Sequence, residues 1–289
     1  MRIQIVSDLH LEAPKAYDLF EIQPAAPVLA LIGDIGNAKP HRDDLFGFLL
    51  RQLRQFEAVL FVPGNHEAYH SSWRETRALL RGFEAEFRKI SNCGEPPLGT
   101  FVLLDQNTHC FPAGDSSCSG GAAETIVLGC PLFSHIPPAA EQAVSMGLND
   151  FYQINNDDDE ATPWDVASHS LAHARDLAWL NETVARLERT RPAASLLILT
   201  HWSPAIDPRT SDPRHANSTI SSAFSTDLSK ERCFRSPSVK AWAFGHTHYN
   251  CDVLVDRPGG AAPIRLVTNQ KGYYFQQARG YDNDKTISG

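Results

Sequence analysis

The 289-residue sequence predicts an α/β fold built on buried parallel strands. Short apolar runs such as Val28 to Ile32 lead directly to a polar side chain, as in a strand that is buried on both faces and ends at a cleft. Segments with helical periodicity lie between the first of these runs, whereas over 92–127 β-prone runs follow one another with Gly and Pro between them. Because strands that alternate with helices favour a right-handed parallel arrangement, we expect the first 90 residues to form a parallel sheet.

The first 90 residues alternate strands with helices. Apolar runs predict strands over 2–6, 28–32 and 59–62, and apolar residues at helical spacing predict helices over 43–56 and 73–90. The next part, 92–127, is punctuated by Gly and Pro and contains two β-prone runs, 100–104 and 125–128, with a polar turn at 115–121 between them. We therefore expect the chain to enter a second set of strands there.

Residues 131–176 are the least regular part of the chain. A long irregular segment inside a compact domain is more often a functional lid than an accident, so we expect this segment to cover the cleft and to influence substrate choice. Within it, 139–146 is a candidate short helix, and the acidic run 157–160 is expected to be a solvated loop rather than a metal site.

The last part of the chain is predicted to contain more strands. A long helix over 165–191 leads to a strand over 195–199, and 220–228 is a candidate helix. Three β-prone runs follow, over 240–244, 251–255 and 264–267. Neither a repeat nor a linker divides the sequence, so we expect one domain over 1–289 with a lid or insert at 131–176.

Composition excludes several classes of function. The formal net charge of −8, without a large basic cluster, argues against general nucleic-acid binding. No apolar run approaches the roughly 20 residues of a membrane span. The chain enters a core strand at Met1-Arg2-Ile3, which leaves no length for a signal peptide, and its six cysteines are scattered. We therefore expect a cytoplasmic protein with mostly free thiols. The sequence does not indicate an oligomeric state.

Polar residues capable of binding metal follow five of the predicted strands. A single such residue would simply be the first to reach water, but ligands in α/β sheets gather at the carboxyl ends of strands. Oxygen and nitrogen donors without Cys or Met suit Mn, Fe or Zn, and two metal ions that share a carboxylate would account for the whole set. The set is Asp8, His10, Asp34, Asn65, His201, His246 and His248.

In chain order, these residues form motifs that resemble the calcineurin-like metallophosphoesterase superfamily. The motifs are Asp8-x-His10, Gly33-Asp34, Gly64-Asn65-His66-Glu67, a lone His201 and Gly245-His246-x-His248. Any one of them alone is weak, whereas the five together are highly specific. The resemblance implies two mixed β-sheets packed as a sandwich with helices on the outer faces, a four-layer αββα fold.

The resemblance also implies a role for each residue in a dinuclear centre. Asp8, His10 and His248 would hold the first metal, Asn65, His201 and His246 the second, and Asp34 would bridge the two. A hydroxide between the metals would attack the phosphorus in line, and His66 would protonate the leaving group.

One position departs from the family's pattern. The second motif commonly runs Gly-Asp-x-x-Asp, and its last Asp pairs with the catalytic histidine, whereas this chain has Asn37. We therefore expect Asn37 to orient the imidazole of His66 while stabilising its charged form less than a carboxylate would.

Two other kinds of metal site share the His246-x-His248 motif. A metallo-β-lactamase-like site requires His-x-His-x-Asp-His, which Tyr249 to Cys251 does not supply, and an amidohydrolase site requires its His-x-His on the first strand, where this chain has Asp8-x-His10. A catalytically weak scaffold that acts through protein–protein binding is the alternative function. Within the enzyme interpretation the substrate is a small phosphorylated molecule, and phosphomonoesterase and phosphodiesterase share every residue named.

Overall fold

The structure is a computed structural model that describes residues 1–91, 98–112, 124–257 and 260–288. The strands, in chain order, are β1 (Arg2–Val6), β2 (Val28–Ile32), β3 (Ala58–Val62), β4 (Ser71–Ser72), β5 (Thr100–Leu103), β6 (Asn107–Phe111), β7 (Thr125–Cys130), β8 (Ile154–Asn155), β9 (Ser195–Thr200), β10 (Val239–Phe244), β11 (Asp252–Val255), β12 (Ile264–Thr268), β13 (Gly272–Tyr273), β14 (Gln276–Gln277) and β15 (Thr286–Ser288). The helices are α1 (Arg42–Leu53), α2 (Trp73–Ser91), α3 (Glu141–Gly147), α4 (Asp150–Gln153), α5 (Val166–Thr190) and α6 (Arg232–Arg235).

Most of the strands belong to two mixed sheets. The first has the order β15-β1-β2-β3-β5, in which β1, β2, β3 and β5 are parallel and β15 pairs antiparallel with β1. The second has the order β11-β12-β10-β9-β7-β6, with four parallel strands between the antiparallel edge strands β11 and β6. The predicted parallel sheet in the first part of the chain is therefore confirmed.

Side-chain alternation divides the core into layers. In β2, Leu29 and Leu31 pack outward with residues of α1 and α2, whereas Val28 and Ile32 pack inward against the second sheet. In β9, residues 197 and 199 join that inner layer, and residues 196 and 198 pack with α5 on the other side. The two sheets thus lie face to face with helices outside, which confirms the fold that the resemblance implied.

Element boundaries agree with the sequence where local patterns are strong. β1 and β2 match their predictions, and α5 begins where Asp165 caps it by accepting a hydrogen bond of 2.7 Å from the Ser168 amide. The helix predicted over 220–228 is wrong, because only the 3₁₀ turn Ser221–Ala223 forms there. The turn predicted at 115–121 lies outside the described residues.

Two further expectations from the sequence concern the cysteines and membrane-spanning helices. Cys110, Cys130, Cys233 and Cys251 are free thiols, and positions 93 and 118 lie outside the described residues. Within the described ranges, none of the helices combines the length and the apolar character that crossing a bilayer requires.

Candidate metal centre

The candidate ligands all lie just beyond strand carboxyl ends, where the two sheets meet. The first sheet carries four of them, Asp8, His10, Asp34 and Asn65, in the loops after β1, β2 and β3. The second sheet carries His201 after β9, and His246 and His248 after β10. Parallel strands end at the same edge of a sheet, so residues far apart in sequence converge there.

The backbone at this edge adopts a conformation that is rare for residues with side chains. Positive φ angles of 52°, 48°, 53°, 66° and 47° occur at Asp8, His10, Asp34, His246 and His248, respectively. Gly33, which precedes Asp34, has a φ of 80°, and a Cβ atom there would overlap the ring of His201. Glycine is therefore required at this close approach between the two sheets.

Asp8, His10 and His248 form the first group, with one ligand atom from each lying within 4.8 Å of the others. The Nε2 atoms of His10 and His248 are 3.0 Å apart, and His248 Nε2 lies 3.3 Å from Asp8 Oδ1. Burial raises the pKa of Asp8, but its hydrogen bond to His248 and the charges of nearby imidazoles outweigh burial and lower that pKa. Asp8 is thus an ionised carboxylate facing two imidazoles.

Asp34, His201 and His246 form the second group, also within 4.8 Å. His201 Nδ1 donates to the Ile32 carbonyl at 2.9 Å, which directs Nε2 toward Asp34 Oδ2 at 3.3 Å. The same Nε2 lies 3.1 Å from Asn65 Oδ1, so the Asn65 oxygen faces this group as well. The structure therefore brings together every residue that the resemblance assigned to the second metal.

Asp34, a member of the second group, also faces the first group. Its Oδ2 is 3.3 Å from His201 Nε2 in the second group and 4.0 Å from His10 Nε2 in the first. Burial raises the pKa of Asp34, but the neighbouring His201 and His66 hold it well below its usual range. A single ionised oxygen thus faces both groups, which is the position that a bridging ligand requires.

The donor atoms fit divalent cations. Glu12 accepts at 3.3 Å from His10 Nδ1, so His10 directs its Nε2 lone pair into the first group, toward His248 Nε2 at 3.0 Å, where a cation could accept it. His246 Nε2 is buried without a hydrogen-bond partner, and burial lowers the pKa of this imidazole well below its usual value. Ionised carboxylates and the neutral imidazoles of His10 and His246 are the donors expected for Mn, Fe or Zn. Burial lowers the pKa of His201, but the charge of Asp34 outweighs burial and raises that pKa to about 10, so metal binding there would release a proton.

Glu67, the last residue of the third motif, holds the loops that carry the ligands. Its fully buried carboxylate accepts hydrogen bonds from the amides of Asp34, Ile35 and Gly64 at 3.0, 2.8 and 2.6 Å. These bonds join the loop after β2 to the loop after β3 and so fix Asp34 relative to Asn65.

His66 lies beside the two groups and pairs with a carboxylate that the sequence analysis did not identify. Its Nδ1 lies 2.7 Å from Glu12 Oε1, and its ring stacks on Tyr69 at 4.1 Å. Burial lowers the pKa of His66, but the charge of Asp34 and the bond to Glu12 outweigh burial and raise that pKa to about 9. Glu12 lies two residues after His10, and this proximity to a motif residue was the only signal in the sequence.

Asn37 does not orient the imidazole, so that expectation is wrong. Its Nδ2 donates at 2.7 Å to the main-chain carbonyl of His66 rather than to the ring. The Nδ1 atom of His66 is bonded instead to Glu12, which supplies a carboxylate from a different loop. Asn37 therefore fixes the backbone of His66, and Glu12 fixes its side chain.

Asp150, in the segment 131–176, reaches the centre through Asn65. Its Oδ1 accepts from Asn65 Nδ2 and from the Tyr69 hydroxyl, both at 2.8 Å. Because the Asn65 NH₂ group donates to Asp150, the amide oxygen of Asn65 is the atom that faces His201.

By contrast, the acidic run 157–160 lies at the start of α2. Asp157 accepts from the main-chain amide of Arg74, and Asp158 pairs with the guanidinium of Arg74. The role of the segment as a lid stays a prediction.

Tyr273, on the short hairpin of β13 and β14, completes the surroundings of His66. Its hydroxyl lies 3.2 Å from His66 Nε2, and its ring stacks on His10 at 4.1 Å and meets the His248 ring edge-on at 4.9 Å. No motif surrounds Tyr273, so nothing in the sequence connected it to the centre.

Two mixed sheets in a four-layer sandwich, meeting at buried Asp and His residues, define a metallophosphoesterase type of fold. The calcineurin-like phosphoesterase family model matches residues 1–250, and the chain belongs to that family. The uncharacterized protein L509 of Acanthamoeba polyphaga mimivirus is 27% identical over 302 residues, which cover 96% of this chain and 93% of that protein.

A solved structure shows the same fold. The crystal structure of phosphopantetheinyl hydrolase from Mycobacterium tuberculosis superposes with a TM-score of 0.62 at 18% identity, covering 94% of this chain and 89% of that one. Family and fold together indicate a hydrolase of the phosphoesterase type.

Proposed function

We propose that this protein hydrolyses a phosphate ester of a small molecule at a dinuclear metal centre, with His66 as the general acid. The observation that supports the proposal most directly is the position of Asp34 Oδ2 between the Asp8–His10–His248 group and the His201–His246 group. Two divalent ions held there would activate water and neutralise charge on the phosphoryl group.

The chain's own residues would position the substrate and move the proton. Nδ1 of His66 is bonded to Glu12, so Nε2 is the ring atom left to face the leaving group. Glu12 is ionised, since its hydrogen bonds to His10 and His66 outweigh burial and lower its pKa to about 2, and it therefore stabilises the protonated imidazole. His66 can then donate a proton to the departing oxygen.

A panel of phosphomonoesters, cyclic nucleotides and phosphodiesters, assayed with added Mn²⁺, tests the proposal and separates monoesterase from diesterase activity. We expect elemental analysis to find two metal ions per chain and the assays to detect hydrolysis. His201→Ala should lower both quantities, whereas replacement of the exposed His215 by Asn should change neither. A folded chain that binds no metal and hydrolyses nothing would favour the scaffold alternative.

The general-acid role has its own test. His66→Gln should retain both metal ions and lose about 10²–10⁴-fold activity on alkyl phosphates, because an alkoxide needs a proton to depart. Nitrophenyl phosphate, whose leaving group departs without a proton, should lose much less. Equal losses on both substrates would mean that His66 positions the phosphate instead.

A further inference from the structure

The Tyr273 hydroxyl lies beside the ring nitrogen from which His66 would deliver a proton. Since Nδ1 of His66 is bonded to Glu12, only Nε2 is free, and the Tyr273 hydroxyl lies 3.2 Å from it. The nearest Asp34 oxygen is 4.0 Å from the same nitrogen, beyond hydrogen-bond distance. Any oxygen that accepts a proton from Nε2 must therefore lie beside the Tyr273 hydroxyl.

The ring of Tyr273 is held in this place by the first group of candidate ligands. It stacks on His10 with an interplanar angle of 28° and meets His248 at 69°. Gly272, with a φ of 78°, donates its amide to the Asp8 carbonyl at 2.9 Å, which ties the hairpin to the loop after β1. The backbone of the hairpin is thus fixed, and the phenol cannot turn away without losing its contacts to both imidazoles.

The phenol can bond first to His66 and then to a substrate. A tyrosine hydroxyl both accepts and donates a hydrogen bond, so it accepts from the Nε2–H of His66 before substrate binds, and it can direct its own O–H at an ester oxygen once that oxygen takes the Nε2 proton in its place. Tyr273 is partly exposed, with 37% of the surface of the residue accessible, so a substrate in the cleft can contact its side chain.

We infer that Tyr273 is a substrate-contacting residue whose O–H donates a hydrogen bond to the ester oxygen that His66 protonates. This inference rests on the proposed phosphoesterase function and deepens it, because it selects substrates whose leaving oxygen needs stabilisation. A donor aimed at an oxygen where negative charge develops contributes to the transition state more than to binding. Tyr273 and His66 would then act on the leaving group from two sides.

Tyr273→Phe keeps the ring and its stacking on His10 but removes the donor. We expect kcat on alkyl phosphates to fall about 10²-fold, with KM changed little, metal content unchanged and a smaller loss on nitrophenyl phosphate. Tyr274→Phe is the matched control, since it removes a hydroxyl from the next residue of the same hairpin and should leave kcat unchanged. Equal losses on both substrates, or unchanged kcat on alkyl phosphates, would overturn the inference.

A second measurement does not depend on turnover. In ¹H–¹⁵N spectra of the imidazoles, Tyr273→Phe should shift the His66 Nε2 resonance, and Tyr274→Phe should not. An unchanged resonance in Tyr273→Phe would contradict the contact itself. If the wild-type chain hydrolyses no phosphate ester, the proposed function and this inference fall together, whereas hydrolysis that is insensitive to Tyr273→Phe overturns only the inference.

Discussion

Glu12 directs two imidazoles at once. It lies 3.3 Å from His10 Nδ1 and 2.7 Å from His66 Nδ1, and an ionised carboxylate can only accept, so both rings are oriented by the same group. His10 belongs to the first ligand group, and His66 is the proposed acid. A single side chain thus links the orientation of a ligand to the orientation of the acid.

Glu12→Gln should move the alkaline limb of the pH–rate profile to lower pH. The carboxylate favours the protonated form of His66, so its removal lowers the pKa of that imidazole, and the acid is lost at a lower pH. The limb is measured in kcat against pH on an alkyl phosphate. Glu21→Gln, an exposed position in the same loop, is the control. A limb that stays in place would show that Glu12 does not govern the charge of His66.

Asn37→Asp should destabilise the protein rather than strengthen the acid. The Asn37 amide donates to the His66 carbonyl, and a buried carboxylate there would place an acceptor against an acceptor. The cost of an unsatisfied buried group is about 1–3 kcal/mol in the free energy of unfolding, measurable by urea denaturation. An upward shift of the alkaline limb, with stability unchanged, would restore the interpretation that position 37 faces the ring.

The seven candidate ligands could be predicted from sequence because each directly follows a strongly apolar strand or belongs to a compact motif. Glu12, Asp150 and Tyr273 could not, since each reaches the centre from an irregular loop or a short element through contacts that depend on the whole fold. Asn37 was assigned wrongly because motif spacing places a residue near a histidine without specifying the atom to which it bonds.

At the scale of elements, α4 explains how the segment 131–176 bears on the centre. The segment adds no residue to the candidate ligand set, but Asp150 at the start of α4 fixes the amide of Asn65. Rotation of that amide by half a turn would present its NH₂ group to the second ligand group in place of its oxygen. The segment therefore supports a candidate ligand that lies 85 residues away in sequence.

Asp150→Ala should lower metal occupancy from two ions per chain toward one. Without its carboxylate partner the Asn65 amide is free to rotate, and partners of a ligand typically account for 10–100-fold in metal affinity. Elemental analysis after dialysis measures the loss. Glu141→Ala, an exposed position in the same segment, should keep both ions. Full occupancy in Asp150→Ala would show that Asn65 needs no support.

Elements with strong local patterns were predictable, and those defined by distant partners were not. β2 is fully buried and α5 has a capped apolar face, so both are encoded locally. β15 forms a strand because it pairs with β1, which lies at the opposite end of the sequence. β6 is a polar edge strand that is defined by its pairing with β7. The helix expected at 220–228 does not extend beyond one 3₁₀ turn, because the amides of Thr226 and Leu228 donate to carbonyls of residues 203 and 204 instead of to the preceding turn.

At the scale of the whole molecule, the candidate centre joins the two sheets. Asp8, Asp34 and Asn65 come from the first sheet, and His201, His246 and His248 come from the second. The inner layer of apolar side chains holds the sheets face to face, and the polar centre lies beyond this layer, at the carboxyl ends of the strands of both sheets. Metal ions bound there would couple the sheets, so occupancy and stability should change together.

Asp34→Asn should cost more metal and activity than Asn65→Ala, because Asp34 Oδ2 faces both ligand groups whereas the Asn65 oxygen faces one. Elemental analysis of the purified variants, with turnover measured on the best substrate of the panel, gives the comparison. Two metal ions and normal turnover in Asp34→Asn would contradict a dinuclear centre bridged by this carboxylate.

The left-handed backbone at the ligands has a consequence for how this sequence can change over time. Five of the seven candidate ligands carry positive φ angles, which cost on the order of 1–2 kcal/mol for each residue with a side chain. Aspartate, histidine and asparagine tolerate this conformation better than other residues with side chains, and glycine adopts it freely. The left-handed backbone therefore narrows what can replace each of the five residues, because a β-branched or bulky side chain there would add strain to the loss of a donor atom.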